Sequence, residues 1–181
     1  CKMKAGTART REMNLYEFLE YLPTLKDSQA IGHGICGYDK INIVTSGAFK
    51  NKPGTIPRTK KYFHYPKGPA LAMIDYDSDE GQPELSYHDV IDIIVSVCPR
   101  FAATPKVLTY STSSCIYKDG VEIRGKGAGF HLYFLVENGE DLERFKDVLF
   151  QRLWLAGHGY IKISRSGALL PRTIFDTAVF S

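Results

Sequence analysis

The second half of the chain alternates apolar strand patterns with two amphipathic helix patterns, and this order constrains the possible folds more than any other feature of the sequence. Continuous or alternating apolar residues mark the strands, and apolar residues three and four positions apart mark the helices. In chain order the pattern predicts a strand, a helix, two strands, a helix and two strands, at residues 70–76, 86–97, 106–111, 129–136, 141–156, 160–164 and 169–176. Ser86 with Asp89 is a capping pattern for the first helix, and Pro99 ends it.

The order β-α-β-β-α-β predicts an α+β, RRM-like unit of the split βαβ, ferredoxin-like kind. Both of its crossovers should be right-handed. In this topology the first and third strands are antiparallel neighbours in the centre of the sheet. We therefore expect the end of strand 70–76 to adjoin the beginning of strand 129–136.

The first third of the chain predicts a different, smaller unit. Asn14 is a candidate cap for a helix that ends near Leu22, and residues 31–36 and 41–45 have short strand patterns. Residues 51–69 contain four prolines and two glycines and predict a linker or surface loop. We expect an N-terminal basic α/β subdomain over residues 1–66, packed with the RRM-like unit over residues 67–181.

The composition excludes several classes of protein. Hydrophobic residues make up 44% of the chain and charged residues 24%, which is typical of a globular protein and not of a disordered tail. The apolar runs are too short for a membrane span, and no export signal opens the chain. The four cysteines are scattered without a CxxC pair, at positions Cys1, Cys36, Cys98 and Cys115. Reduced thiols in the cytoplasm are the expectation.

The net charge of +3 is unevenly distributed. Residues 1–61 hold 11 Lys and Arg against 5 Asp and Glu, whereas residues 62–181 hold 12 against 15. A basic half beside an acidic site suits an enzyme that handles a phosphate polymer, although a solvated acidic loop is the alternative. The basic residues closest to the second unit, Arg58, Lys60 and Lys61, are predicted to contact a nucleic-acid template.

Three carboxylates are predicted to meet at one end of the sheet. Asp75 and Asp77 end a strand with one residue between them, so the two-residue period of a strand puts both on one face. If residues 165–168 form a tight turn, the last strand returns Asp176 to the same end. Carboxylates this close repel unless a cation lies between them, so they are candidate ligands for one or two divalent ions.

Hydrogen-bond donors for phosphate are predicted around the carboxylates. His131 begins the strand beside Asp75 and Asp77, Arg172 shares the parity of Asp176, and Lys162 faces outward from its own strand. The preceding strand ends in small hydroxyl residues, which are either loop formers or phosphate contacts: Ser111, Ser113 and Ser114. Metal-dependent nucleotidyl transfer needs such a set, and phosphodiester hydrolysis is the neighbouring reaction.

Three motifs of the chain resemble those of the archaeo-eukaryotic primase superfamily: Asp-Tyr-Asp at 75–77, Gly-Phe-His at 129–131, and the strand that ends at Asp176. Residues 164–176 are similar to primase-polymerase domains of plasmids, phages and integrative elements. The resemblance implies primer synthesis from nucleoside triphosphates on single-stranded DNA with Mg²⁺ or Mn²⁺. It implies metal binding by Asp75, Asp77 and Asp176 and a triphosphate contact by His131.

The chain departs from the family in one spacing. The serine of the family lies a few residues before the histidine, whereas Ser114 lies 17 residues before His131. An inserted hairpin at about 115–128 would account for the difference. The family often joins this domain to a helicase, which fits a fragment of a longer protein.

Three alternatives remain open at the level of the sequence. One is an RRM-like module that binds single-stranded nucleic acid without chemistry, for which Tyr133 and Tyr160 are candidate stacking residues. Another is a metal-dependent plasmid initiator nuclease, but its His-x-His metal motif does not occur in this sequence. The third is a purely structural protein, which leaves the convergence of carboxylates unexplained.

Overall fold

A computed structural model describes residues 4–32, 34–112, 114–125 and 129–180. The chain forms two compact units, Cys1–Ala70 with Glu137–Glu140, and Leu71–Val136 with Asp141–Ser181. Both helices and strands occur, so the α+β class is confirmed. No helix within the described ranges is long and apolar enough to cross a membrane.

The first unit is built on a three-stranded sheet. Its elements are β1 (Ala5–Arg9), α1 (Leu15–Tyr21), β2 (Lys40–Val44) and β3 (Thr55–Pro57). The strand order is β1-β2-β3, with β1 and β2 antiparallel and β2 and β3 parallel. A small core of Cys36, Ile43 and Ile56 stabilises the unit, because burial removes apolar surface from water.

The predicted first helix is confirmed and its start has a physical cause. The Asn14 side chain accepts a hydrogen bond from the Glu17 amide at 2.9 Å, and the Glu17 carboxylate accepts one from the Asn14 amide at 2.8 Å. This capping box satisfies two amides that the first turn of a helix leaves without a partner.

The prediction of a strand at 31–36 is wrong. Among the described residues of this segment only Ile35 pairs, in an isolated bridge with His64. Gly34 has φ +77°, a left-handed conformation that interrupts an extended strand. Conversely, the predicted linker 51–69 contains β3, whose last residue, Pro57, lies on an edge strand where a missing amide is tolerated.

The second unit follows the predicted order of elements closely. Its elements are β4 (Ala70–Asp77), α2 (Tyr87–Val97), β5 (Lys106–Tyr110), β6 (Ile116–Lys118), β7 (Val121–Arg124), β8 (Gly129–Val136), α3 (Leu142–Leu155), β9 (Tyr160–Ile163) and β10 (Leu169–Arg172). The central sheet has the order β4-β8-β5, which confirms that the first and third predicted strands are neighbours. A capping box of Ser86 and Asp89 starts α2, as predicted.

The last two strands depart from the RRM-like arrangement. That arrangement expects the final strand to extend the central sheet, but in the described structure β9 pairs with β10 in a separate antiparallel sheet. The predicted turn at 165–168 does join them: Gly167 has φ +82°, and its amide donates to the Ser164 carbonyl at 2.9 Å. Strand β10 ends at Arg172, four residues before the predicted end at Asp176.

One face of the central sheet packs against α3 and the 3-10 turn Pro99–Ala103, and the predicted carboxylates lie on the other face. Phe134 of β8 makes edge contacts with Phe101 at 5.2 Å and with Phe145 of α3 at 6.0 Å. Tyr76 of β4 belongs to the same buried face, where it stacks on Phe130 at 4.8 Å. Because strand side chains alternate, Asp75 and Asp77 point to the opposite face.

Candidate active site

The end of β4 meets the beginning of β8 at the predicted place. The His131 Nε2 atom lies 3.3 Å from Asp75 Oδ1, and Gly129 lies against the Tyr76 carbonyl and the Asp77 carboxylate. From Asp75 to Asp77 the chain of β4 moves forward, whereas the residue it faces on β8 moves back from His131 to Gly129. The two strands therefore run antiparallel. The sheet thus brings Asp75, Asp77 and His131 together, although more than fifty residues separate the carboxylates from the histidine.

In the described structure one carboxylate oxygen of Asp75 is buried without a hydrogen-bond donor. Its side chain is 19% exposed, and Oδ1 is buried with no hydrogen-bond partner in the described structure. The approach of His131 has the distance of an ion pair without the alignment of a hydrogen bond. Burial and then the nearby Asp75 charge raise the pKa of the Tyr133 hydroxyl. A buried carboxylate oxygen without a donor is costly, and a cation or a donor from a ligand would relieve that cost.

Asp176 reaches the same place through its backbone. Its amide donates a hydrogen bond to the Asp75 carbonyl at 2.9 Å, which fixes the segment after β10 beside the end of β4. The carboxylate itself has other partners. Asp176 Oδ1 accepts from the Ala178 amide at 3.0 Å and lies 3.4 Å from an Arg172 guanidinium nitrogen. Arg172 is therefore beside Asp176, but not through the strand parity that was predicted, because β10 ends at Arg172 and the chain turns before Asp176.

Ser114 is brought to the site by the turn after β5, in which its amide donates to the Ser111 carbonyl at 3.0 Å. Its hydroxyl is buried, donates to the Gly129 carbonyl, and lies 3.4 Å from the Ser111 hydroxyl. Strands β6 and β7 form the inserted hairpin, and Asp119 and Gly120 between them have φ +53° and +80°, the conformation of a tight two-residue turn. The predicted hairpin is confirmed over its described part; Ser113 and residues 126–128 lie outside the described residues.

A cluster around Asp79 was not predicted. The Asp79 carboxylate accepts a hydrogen bond from the Tyr160 hydroxyl at 2.6 Å and forms an ion pair with Lys162. Burial opposes the charge of Asp79, but the hydrogen bonds from Lys162 and Tyr160 and the charges of Lys162 and Arg172 prevail and lower its pKa. Burial and the bond to Asp79 raise the pKa of Tyr160. The signal available in the sequence was an aspartate at every second position, at Asp75, Asp77 and Asp79.

The predicted template residues lie in the first unit. Arg58, Lys60 and Lys61 are exposed directly after β3, and the Lys61 ammonium lies 5.7 Å from the centre of the Tyr62 ring. The Arg58 amide donates to the Val44 carbonyl at 3.0 Å, which holds the start of this basic stretch to β2. The three cations therefore make residues 58–61 a basic stretch at the surface of that unit.

Part of the site has the chemistry that a divalent ion requires. No group of three or more His, Cys, Asp or Glu side chains in the described ranges surrounds a common ion position. Asp75 and Asp77 nevertheless supply the oxygen ligands that Mg²⁺ and Mn²⁺ prefer, and the buried Asp75 Oδ1 lacks a hydrogen-bond donor. The chemistry of Asp75 and Asp77 fits such an ion, but the predicted third carboxylate, Asp176, forms no group of three with them in the described residues, because its Oδ1 engages the Ala178 amide and Arg172.

Similarity to known proteins does not identify the site. No family model, no curated protein and no solved structure matches the chain. The geometry of the site and the three sequence motifs are therefore the basis for assigning a function.

Proposed function

We propose that the chain is a primase or primase-polymerase domain of the archaeo-eukaryotic type, a nucleotidyltransferase that synthesises short primers from nucleoside triphosphates on single-stranded DNA. One observation carries the proposal. Asp75 lies beside His131 at one end of the β4-β8-β5 sheet, and the Ser114 hydroxyl donates to the carbonyl of Gly129 on the same strand as His131. The backbone amide of Asp176 is bonded to Asp75, so four segments that span about a hundred residues adjoin at this end. Polar groups from distant segments rarely converge on one sheet edge for packing alone, since their burial is costly.

The proposal includes the finer description of the fold as RRM-like. The β9–β10 hairpin then corresponds to the final strand of that arrangement. Its support is the hydrogen bond between the Asp176 amide and the Asp75 carbonyl, on the segment that leaves β10. We expect side-chain contacts to take the place of the backbone hydrogen bonds that would join a final strand to the central sheet.

In the proposed reaction the 3′ oxygen of the growing strand forms a bond to the α-phosphorus of a nucleoside triphosphate, and pyrophosphate leaves. Mg²⁺ or Mn²⁺ held by Asp75, Asp77 and Asp176 would lower the pKa of the attacking hydroxyl and neutralise the triphosphate. His131 presents Nε2 beside Asp75 and can donate to a phosphate oxygen. Ser114, Arg172 and Lys162 are the further proposed phosphate contacts.

The proposal is tested by incubating the protein with single-stranded DNA, labelled nucleotides and Mn²⁺. We expect short labelled products that depend on the template and on the metal. An inactive protein that is folded, binds single strands and makes no product with either ribo- or deoxyribonucleotides would contradict the proposal. Such a result would favour the alternative of a binding module.

The binding-module alternative receives little support from the aromatic residues that motivated it. Tyr133 is buried, with 6% of its surface exposed, and the Tyr160 hydroxyl is held by Asp79. A stacking platform for single-stranded nucleic acid needs aromatic faces that bases can reach. Tyr133 therefore does not provide one, and the hydrogen bond to Asp79 restricts the orientation of the half-buried Tyr160 ring.

The substitution His131→Ala should weaken nucleotide binding and leave the binding of single-stranded DNA unchanged. The reason is that a histidine beside a triphosphate contributes a charge-assisted hydrogen bond, so its loss should raise the nucleotide Kd about tenfold or more. Fluorescence titrations with a labelled nucleotide and with a labelled oligonucleotide separate the two. His88→Ala, at an exposed position on α2, is the control. A variant of His131 that unfolds would indicate a structural histidine instead.

Neutralising the basic stretch should reduce the salt dependence of template binding. Each phosphate contact on a single strand contributes about 0.7 to the slope of log affinity against log salt concentration, so the triple variant Arg58→Gln, Lys60→Gln, Lys61→Gln should lower the slope by about 2. The control removes three other exposed cations of the same unit: Arg9, Lys26 and Lys40. An equal slope in both triple variants would refute the assignment.

A further inference from the structure

The β9–β10 hairpin has few main-chain links to the central sheet. In the described structure its strands hydrogen-bond to each other and belong to no larger sheet. The segment that follows it is tied to β4 by the bond from the Asp176 amide to the Asp75 carbonyl. A two-stranded hairpin is marginally stable by itself, so further contacts must hold it in place.

Asp79 supplies those contacts from the loop after β4. Its side chain is 22% exposed and engages both the Tyr160 hydroxyl and the Lys162 ammonium. Tyr160 and Lys162 alternate along β9, so they share one face of the hairpin. Arg172 is the register partner of Tyr160 on β10 and therefore lies on that same face. The Asp79 carboxylate thus binds two side chains on the face of the hairpin that also carries Arg172.

The other face of the hairpin makes no comparable anchor. Ile161 and Ile163 are 50% and 70% exposed, and Leu169, the partner of Ile163, is 67% exposed. Apolar burial therefore contributes little to holding these strands. The polar face has to carry the docking of the hairpin.

We propose that Asp79 is a positioning residue that docks the β9–β10 hairpin on the end of β4 and thereby sets where Arg172 lies. Its effect on primer synthesis rests on the proposed function, whereas its effect on the hairpin does not. Lys162 then acts through Asp79 as the second half of the dock, in addition to its predicted role as a phosphate contact.

The dock is tested by hydrogen exchange in the absence of any ligand. Asp79→Asn keeps the shape of the side chain and removes its charge, so the backbone amides of β9 and β10 should exchange about tenfold faster, as expected for the loss of a charge-assisted hydrogen bond. Amides of α3 should keep their protection, which also shows that the variant is folded. Glu80→Gln removes a carboxylate from the neighbouring exposed position and should change neither.

A double-mutant cycle identifies the partner of Asp79. If Asp79 acts through Lys162, the variant carrying both Asp79→Asn and Lys162→Met exchanges no faster than the faster of the two single variants. Tyr160→Phe can replace Lys162→Met in the same cycle, because it removes the other hydrogen bond to Asp79. Additive effects of Asp79→Asn and Lys162→Met would overturn the pairing.

Primer synthesis links the dock to the reaction. Asp79→Asn should reduce the rate about tenfold, and Asp79→Glu, which restores the charge, should recover most of it. Unchanged exchange in β9 and β10 of Asp79→Asn, or an equal change in Glu80→Gln, would overturn the inference. Faster exchange in a protein that never makes primers would refute the proposed function and leave the dock intact.

Discussion

The substitution Asp75→Asn abolishes primer synthesis in our account, with a loss of about a thousandfold or more and with the fold retained. The size of the loss follows from electrostatics. A carboxylate that holds a metal ion at the reacting phosphate contributes several kcal/mol to the stabilisation of the transition state. Asparagine has nearly the same shape, so the strand and the Tyr76–Phe130 stack should be unaffected.

Stability separates this result from simple unfolding. The neighbouring carboxylates of Asp75 and Asp77 repel each other when no cation is bound, so Asp75→Asn should be as stable as the wild type or slightly more so in the absence of metal. Urea denaturation with and without Mn²⁺ measures this. Asp92→Asn, which removes an exposed carboxylate from α2, should keep full activity. Activity of Asp75→Asn within threefold of wild type would remove Asp75 from the reaction.

The substitution Gly129→Ala should cost about a hundredfold in activity, because a displacement of about 1 Å in a catalytic group has an effect of that order. A Cβ atom at this position would overlap the Asp77 carboxylate and would lie 2.7 Å from the Ser111 hydroxyl and 3.1 Å from the Tyr76 carbonyl. Both side chains would have to move, and the close approach of β4 and β8 would widen. Such overpacking also costs about 1–3 kcal/mol of stability.

The control for Gly129→Ala is a glycine with space around it. A Cβ atom at Gly47 would meet nothing within 4 Å, and its φ is not left-handed. Gly47→Ala should therefore leave activity and the urea midpoint near those of wild type. A Gly129→Ala protein that is as active as Gly47→Ala would show that the position of Asp77 does not matter for the reaction.

The sequence was sufficient to predict the features that depend on local signals. Capping boxes and apolar spacing predicted α1 and α2 within a residue or two, and β8 was predicted at its observed bounds. The topology rule then placed Asp75 beside His131 without knowledge of any contact. Local patterns and chain connectivity are enough when both strands belong to the central sheet.

Features that depend on distant pairing could not be predicted. The segment before Cys36 has apolar residues like a strand, but its glycines and a partner at His64 reduce it to one bridge. Strand β9 has a normal strand pattern, and no local signal indicates that it pairs with β10 alone. The contacts of Asp79 join positions more than eighty residues apart through side chains, which sequence periodicity does not report.

The most direct test of the account is calorimetric titration with Mn²⁺ of the wild type and of Asp75→Asn, Asp77→Asn and Asp176→Asn, with Asp92→Asn as the control. We expect each of the first three substitutions to lower the Mn²⁺ affinity at least tenfold, since each removes an oxygen ligand of a shared site. The control should bind as the wild type does. Unaltered Mn²⁺ binding by Asp176→Asn would contradict the shared site and with it the proposed reaction.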